Sequence, residues 1–222
     1  MNLTLFDLDG TLLPIDSDHA FGQFMVDIGW ADREQFGQRN EEFFQQYQRG
    51  QLDVPAYIDF ATSAWRHRPL DEALAGRERF MQDVLRKHIH GSARALVGQH
   101  QAAGDWVVMA TATNEFVTTP IAAEFGIAHL IAVELERDAN GRVTGGIKGV
   151  PSLGAGKLLR VQNWLAQQGQ MLADFEHVTF YSDSTNDLPL LEQATEPVAT
   201  NPSPALERIA IERGWRVLRL FE

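Results

Sequence analysis

Two carboxylates, Asp7 and Asp9, stand two residues apart where a short apolar run, Asn2 to Asp7, gives way to Gly10-Thr11-Leu12. Residues two apart in an extended strand share a face, and at the turn that follows they can converge, one as a nucleophile and the other as a proton donor. Gly10 suits a sharp backbone turn beside a phosphate. A second polar group, Thr111-Ala112-Thr113-Asn114, follows another apolar run and offers a hydroxyl and successive backbone N–H groups to an anion. Lys157 comes just after Gly154-Ala155-Gly156 at an expected helix start, where the helix dipole disfavours a cation unless an anion faces it. Asp183 and Asp187 lie in Ser182-Asp183-Ser184-Thr185-Asn186-Asp187, after a further apolar run. Four acids in one site repel without a counter-cation, and hard oxygen donors with water select Mg²⁺.

These groups converge only if the apolar runs are neighbouring strands of one sheet. Residues 2–7 are too few for a helix before the Gly and Pro punctuation, so they read as a buried strand. From Asp16 to Ile89 the apolar period becomes 3.6, with Phe21, Phe24, Met25 and Ile28 on one face, then Phe36, Phe43, Phe44 and Tyr47, then Ile58, Ala61 and Trp65. Four helices are expected there, with their aromatics in a core. The rest alternates: helix 92–103, strand 106–111, helix 115–125, strand 129–135, a turn at Asp138-Ala139-Asn140-Gly141, helix 155–168 and strand 178–182. Short strands near Val198 and Val217 flank a helix over 204–213. Strands alternating with helices imply an α/β fold, a Rossmann-like doubly wound parallel sheet, with the all-helical segment inserted after the first strand. The expected division is 1–14 and 90–222 for the catalytic core and 15–89 for a helical cap. Ligands of such sheets sit beyond the carboxyl ends of the strands, where all four polar groups fall.

Asp-x-Asp-Gly-Thr-Leu after a hydrophobic strand, Thr111 after the next, Lys157, and Asp183-x-x-x-Asp187 followed by Leu-Pro-Leu-Leu resemble the four ordered motifs of the haloacid dehalogenase (HAD) superfamily. The insert occupies the position of that superfamily's C1 cap, and the tail resembles subfamily IB, the phosphoserine-phosphatase-like branch. The resemblance implies a Mg²⁺-dependent phosphatase acting on a small phosphomonoester. Asp7 would attack phosphorus to form an aspartyl-phosphate, and Asp9 would protonate the leaving oxygen and then deprotonate water. Asp7, the Asp9 carbonyl and Asp183 would hold the metal, with Asp187 in support. Thr111, Ala112 through its N–H, Lys157 and Asn186 would meet the phosphoryl group. Asp16, seven residues after Asp9, stands where phosphoserine phosphatases carry an acid that receives the substrate amine; it suits an N-cap of the next helix equally. Phosphoserine and histidinol phosphate are the leading substrates. Phosphoserine phosphatases resemble Ser-Gly-Gly at the second motif, where Thr111-Ala112-Thr113 narrows the space, and Ser182 replaces a usual Gly before Asp183.

Alternatives are a phosphotransferase or mutase on the same core, or a non-catalytic binding protein of the same fold. The chain has 222 residues, no Cys, and a net charge of −11. Absence of Cys excludes thiolate metal sites, disulfides and a cysteine nucleophile. The acidic balance argues against nucleic acid, and no run of about 18 apolar residues suggests a membrane span, so a cytoplasmic protein is expected, its oligomeric state left open. The partner it implies is a small phosphorylated metabolite.

Overall fold

The computed structural model describes residues 1–221. Six strands form one sheet, numbered in chain order: β1 (Leu3–Phe6), β2 (Trp106–Asn114), β3 (His129–Val133), β6 (Val178–Ser182), β7 (Glu196–Thr200) and β8 (Arg216–Leu218). They lie side by side in the order β3-β2-β1-β6-β7-β8, every neighbouring pair parallel. This is the α/β architecture expected. The chain builds outward from β1 in one direction through β2 and in the other through β6, so the strand order reverses at β1 and opens a crevice beyond its carboxyl end.

Side chains alternate across the sheet, and both faces are apolar. Leu3, Leu5, Val108, Ala110, Val178 and Phe180 join the cluster under α7 (Ala155–Gln167), α8 (Leu188–Leu191) and α9 (Pro204–Arg213). Phe6, Val107, Met109, Tyr181 and Val198 face the opposite cluster, under α5 (Gly91–Ala102) and α6 (Glu115–Glu124). A sheet buried on both sides has no polar face, which is why its strands read as continuous apolar runs.

The insert forms α1 (Ser17–Asp27), α2 (Gln35–Gln48), α3 (Val54–Ser63) and α4 (Leu70–Phe80), the last running on through a π turn over Met81–Leu85 and a 3₁₀ turn over Arg86–His88. Its apolar residues share the α5–α6 cluster. Phe80 is fully buried with its ring centroid 5.1 Å from Phe21 and 5.7 Å from Phe24. Trp65 stacks on Phe116 of α6 at 3.9 Å and 12°, and the Arg77 guanidinium lies 5.0 Å from the same ring.

Two expected strands change length. β2 continues past Thr111 to Asn114, because Thr111 and Thr113 favour extended backbone and a register shift against β3 between Ala110 and Asn114 absorbs the excess. The strand expected over 129–135 stops at Val133. Glu134 leaves the sheet to meet Arg160 at 2.7 Å and Lys148 at 3.3 Å, and the chain then forms an antiparallel hairpin of β4 (Leu135–Arg137) and β5 (Val143–Ile147). That hairpin packs on α3; at Gly145, with φ +98°, a Cβ would collide with the Arg66 guanidinium. No helix among the described residues is long and apolar enough to cross a membrane.

Candidate active site

Asp7 follows the last residue of β1, its amide bonded to the Tyr181 carbonyl of β6 at 3.0 Å. Lys157, in the first turn of α7, reaches it from beneath: Nζ lies 2.8 Å from Asp7 Oδ1 and 2.7 Å from the Asp187 carboxylate. All three side chains are buried. Burial alone would lower the Lys157 pKa; Asp187 and Asp7 more than reverse it and hold the ammonium charged. Burial pushes Asp7 up to about 7, opposed by Lys157 and reinforced by Asp187.

Asp9 is aimed by two donors. The Ser17 amide at the start of α1 gives 2.8 Å to Oδ1, and the Thr113 hydroxyl gives 2.8 Å to Oδ2. Burial and the neighbouring Asp16 raise Asp9 to about 7, against the Ser17 and Thr113 hydrogen bonds, which brings it into the range where a carboxyl can exchange a proton near neutrality. In the sequence Thr113 reads only as added bulk; the structure makes it a hydrogen-bond donor. Ser182 is a second such residue: fully buried, it donates to Asp187 Oδ2 at 2.7 Å and so braces the carboxylate that braces Lys157.

Asp183 stands across the first turn, where the Thr11 hydroxyl donates to it at 3.4 Å. Gly10, φ +76°, makes that approach possible, because a Cβ there would overlap the Asp183 carboxylate. Burial, then Asp7 and Asp187, hold Asp183 well above the usual carboxylate range. Asp7, Asp183 and Asp187 thus share one internal cation, and hard oxygen donors with uncompensated charge suit a divalent ion. Among the described residues no three acidic or imidazole groups converge as a ready-made ligand cluster, and Asp7 and Asp187 both bond to Lys157.

Above Asp7 and Asp9 lies a cavity floored by Thr111, Ala112 and Thr113. Thr111 is buried with its Oγ1 accepting from the Thr113 amide at 3.1 Å. Asp16 and Asp18 form one wall, and Phe43, Phe44, Tyr47, Leu52 and Tyr57 come in from the insert. Phe44 and Tyr47 therefore do not follow the core placement expected for the insert aromatics, whereas Phe43 is buried against Tyr57 and Phe60 while also lining the cavity. The apolar stripe of α2 is wider than the packing it meets, and its remainder faces the cavity. Asp16 does cap α1, accepting the His19 amide at 2.7 Å, and burial raises it to about 6 even so. Asn186 lies apart from this floor; its Nδ2 donates to the Tyr47 carbonyl at 3.5 Å, tying the β6 loop to α2. Asp18 and Tyr57 were passed over in the sequence, where one is a first-turn acid and the other an ordinary helix aromatic.

The model of the haloacid dehalogenase-like hydrolase family matches residues 4–192. The chain is 42% identical over 217 residues to a histidinol-phosphatase of Neisseria meningitidis serogroup C (strain 8013), covering 98% of each. A solved protein of unknown function from Bordetella pertussis Tohama I superposes with a TM-score of 0.94 at 46% identity, over 99% of both chains. A substrate-bound phosphoserine phosphatase shares the fold, with a TM-score of 0.67 at 16% identity, over 97% of this chain and 91% of the other. With the paired aspartates, the buried lysine and the ordered strand ends all in one crevice, the chain belongs to the haloacid dehalogenase-like hydrolase family.

Proposed function

We propose that this hydrolase is a phosphatase for a small phosphomonoester bearing cationic nitrogen and no carboxylate, and that histidinol phosphate is its substrate. The carrying observation is the cavity wall: Asp7, Asp9, Asp16 and Asp18 line it together with aromatic rings, and among the described residues no Lys or Arg does. Phosphoserine would bring a carboxylate into that field without a partner, which costs several kcal/mol when a charge is buried unpaired. Of the insert arginines, Arg66 is engaged with Asp59 and Arg68 with Glu72, both at 2.6 Å, and Arg49 is not among the residues lining the cavity. The name of the Neisseria relative supports the same choice.

In this reading one oxygen of Asp7 attacks phosphorus as the bond to the leaving alkoxide breaks, and Asp9 gives that alkoxide its proton. Asp9 then takes a proton from water, whose oxygen displaces Asp7 and releases phosphate. Splitting one hydrolysis into two displacements lowers each barrier. Lys157 holds Asp7 Oδ1, which leaves the second oxygen free of that bond, and its charge offsets the negative charge gathered at phosphorus. Thr111 and the Ala112 amide would receive phosphoryl oxygens. Asp7, the Asp9 carbonyl and Asp183 would hold Mg²⁺, with Asp187 behind; bound there, it would neutralise phosphoryl charge. Residues 15–89 act as a cap over the core of 1–14 and 90–222, and α2 and α3 exclude bulk water from the reaction.

Phosphate release should be measured for histidinol phosphate, phosphoserine, a sugar phosphate and an aryl phosphate, each with Mg²⁺ and with EDTA. The expected result is metal-dependent turnover with the highest kcat/KM for histidinol phosphate, abolished in Asp7→Asn. A preference for phosphoserine would overturn the substrate, and full activity of Asp7→Asn would overturn the nucleophile.

A further inference from the structure

Asp18 has no part in the chemistry just described, yet it is among the most secluded acids of the chain, 6% exposed and facing the substrate cavity. Its Oδ1 accepts from Asn114 Nδ2 at 3.2 Å, and the Tyr57 phenol is hydrogen-bonded to it from the insert side. Both partners are neutral. An acid in a helix's first turn is ordinarily solvated, where it favours the dipole at little cost. Burying it among other acids is unfavourable unless something that enters the cavity brings positive charge or strong donors.

The acids are also not equivalent. Asp16 interacts with both Asp7 and Asp9, close to the phosphoryl position, and one of its oxygens is occupied as the α1 cap. Asp18 interacts first with Asp16 and then with Asp9, and it is fixed against Tyr57 of α3. Beside it the His19 and Phe44 rings stack at 4.6 Å, and Phe43 meets Tyr57 edge-on at 5.3 Å. Flat aromatic walls next to a fixed carboxylate suit a planar nitrogen heterocycle, which can lie against the rings and donate an N–H to the acid.

We propose that Asp18, positioned by Asn114 and Tyr57, is the specificity-determining residue for the heteroaromatic ring of the leaving group, distinct from Asp16, which serves the amine nearer the phosphoester. This rests on the phosphatase reading above and adds to it the group that discriminates among aminated phosphoesters. A phosphate with an amine and no ring fills only the Asp16 subsite. One with both fills the two subsites.

The test compares wild type with Asp18→Asn, which keeps the side chain's shape and removes its ability to ionise against a bound cation, on histidinol phosphate and on 2-aminoethyl phosphate. The ratio of their kcat/KM values should fall at least tenfold in the variant, mainly through KM for histidinol phosphate; a ratio within twofold of wild type overturns the proposal. Calorimetry with histidinol, which cannot turn over, gives a second readout: affinity should weaken about tenfold in Asp18→Asn, and unchanged affinity counts against the assignment. Should the variant not fold, wild type alone decides, since histidinol must bind at least tenfold more tightly than 2-aminopropanol, which lacks the ring; equal affinities sink the idea. Wild type that hydrolyses no aminated phosphoester removes the proposed substrate class, and with it this subsite. Wild type that prefers histidinol phosphate with an unchanged variant ratio removes only Asp18.

Discussion

A hydroxyl near the end of β2 is one of the two donors that aim Asp9. Thr113 and the Ser17 amide take one oxygen each, so the carboxyl is held from two sides before any substrate arrives. Thr113→Val preserves volume and deletes one of these bonds; kcat for the preferred substrate should fall about tenfold, or ~1.4 kcal/mol of barrier, with KM little changed. Steady-state kinetics checks this, and an unaltered kcat would show that Ser17 alone suffices. The paired aspartates, Lys157 and the late acids were legible in the sequence because their spacing at strand ends is itself the signal. Thr113 and Ser182 were not. Their partners lie 104 and 5 residues away, and neither bond leaves a trace in periodicity or composition.

At the scale of elements, periodicity located the helices to within a residue at 92–103, 115–125, 155–168 and 204–213, because each presents one apolar stripe to a sheet face. It misjudged where β2 and β3 end, since strand termini there depend on a register shift and on the ion pairs of Glu134, both tertiary. Nor could it divide the aromatics of α2 between core and cavity, because both uses demand the same spacing. The aromatics of α1 and α4 do serve packing. Phe80→Ala should cost about 3–5 kcal/mol by removing the ring that Phe21 and Phe24 pack against. Urea unfolding monitored by circular dichroism measures it, and a loss under 1 kcal/mol would mean the cluster collapses to fill the gap.

For the whole molecule, the parallel sheet was readable from alternation of strands and helices, whereas the shared core between insert and α6 was not, since Trp65 and Phe116 meet only in three dimensions. The cavity that results carries a stability penalty. Burial, with Asp16 and Asp9 nearby, raises Asp18 to about 8 in the folded state, far above an ordinary carboxylate. The folded chain therefore retains a proton that the unfolded chain releases above about pH 4, and stability contributed at this site falls as pH rises from there to about 8. Asp18→Asn lacks that loss, so its unfolding free energy should exceed that of wild type by a margin that widens between pH 5 and pH 8.5. Parallel denaturant titrations at the two pH values test this; a margin independent of pH would show that Asp18 is not the group responsible.

A hydrolase that cleaves phosphoesters is a hazard to every other phosphoester around it. Much of that bystander pool is anionic beyond its phosphate, in the form of phosphorylated acids and amino acids. The four acids that line the cavity, with no lysine or arginine among the described lining residues, leave a further carboxylate or phosphate without a partner there. Under the proposed function, a cavity that offers no partner to a second anionic group acts as a safeguard for phosphorylated acids, and the instability of a buried acid is the counterpart of that restraint.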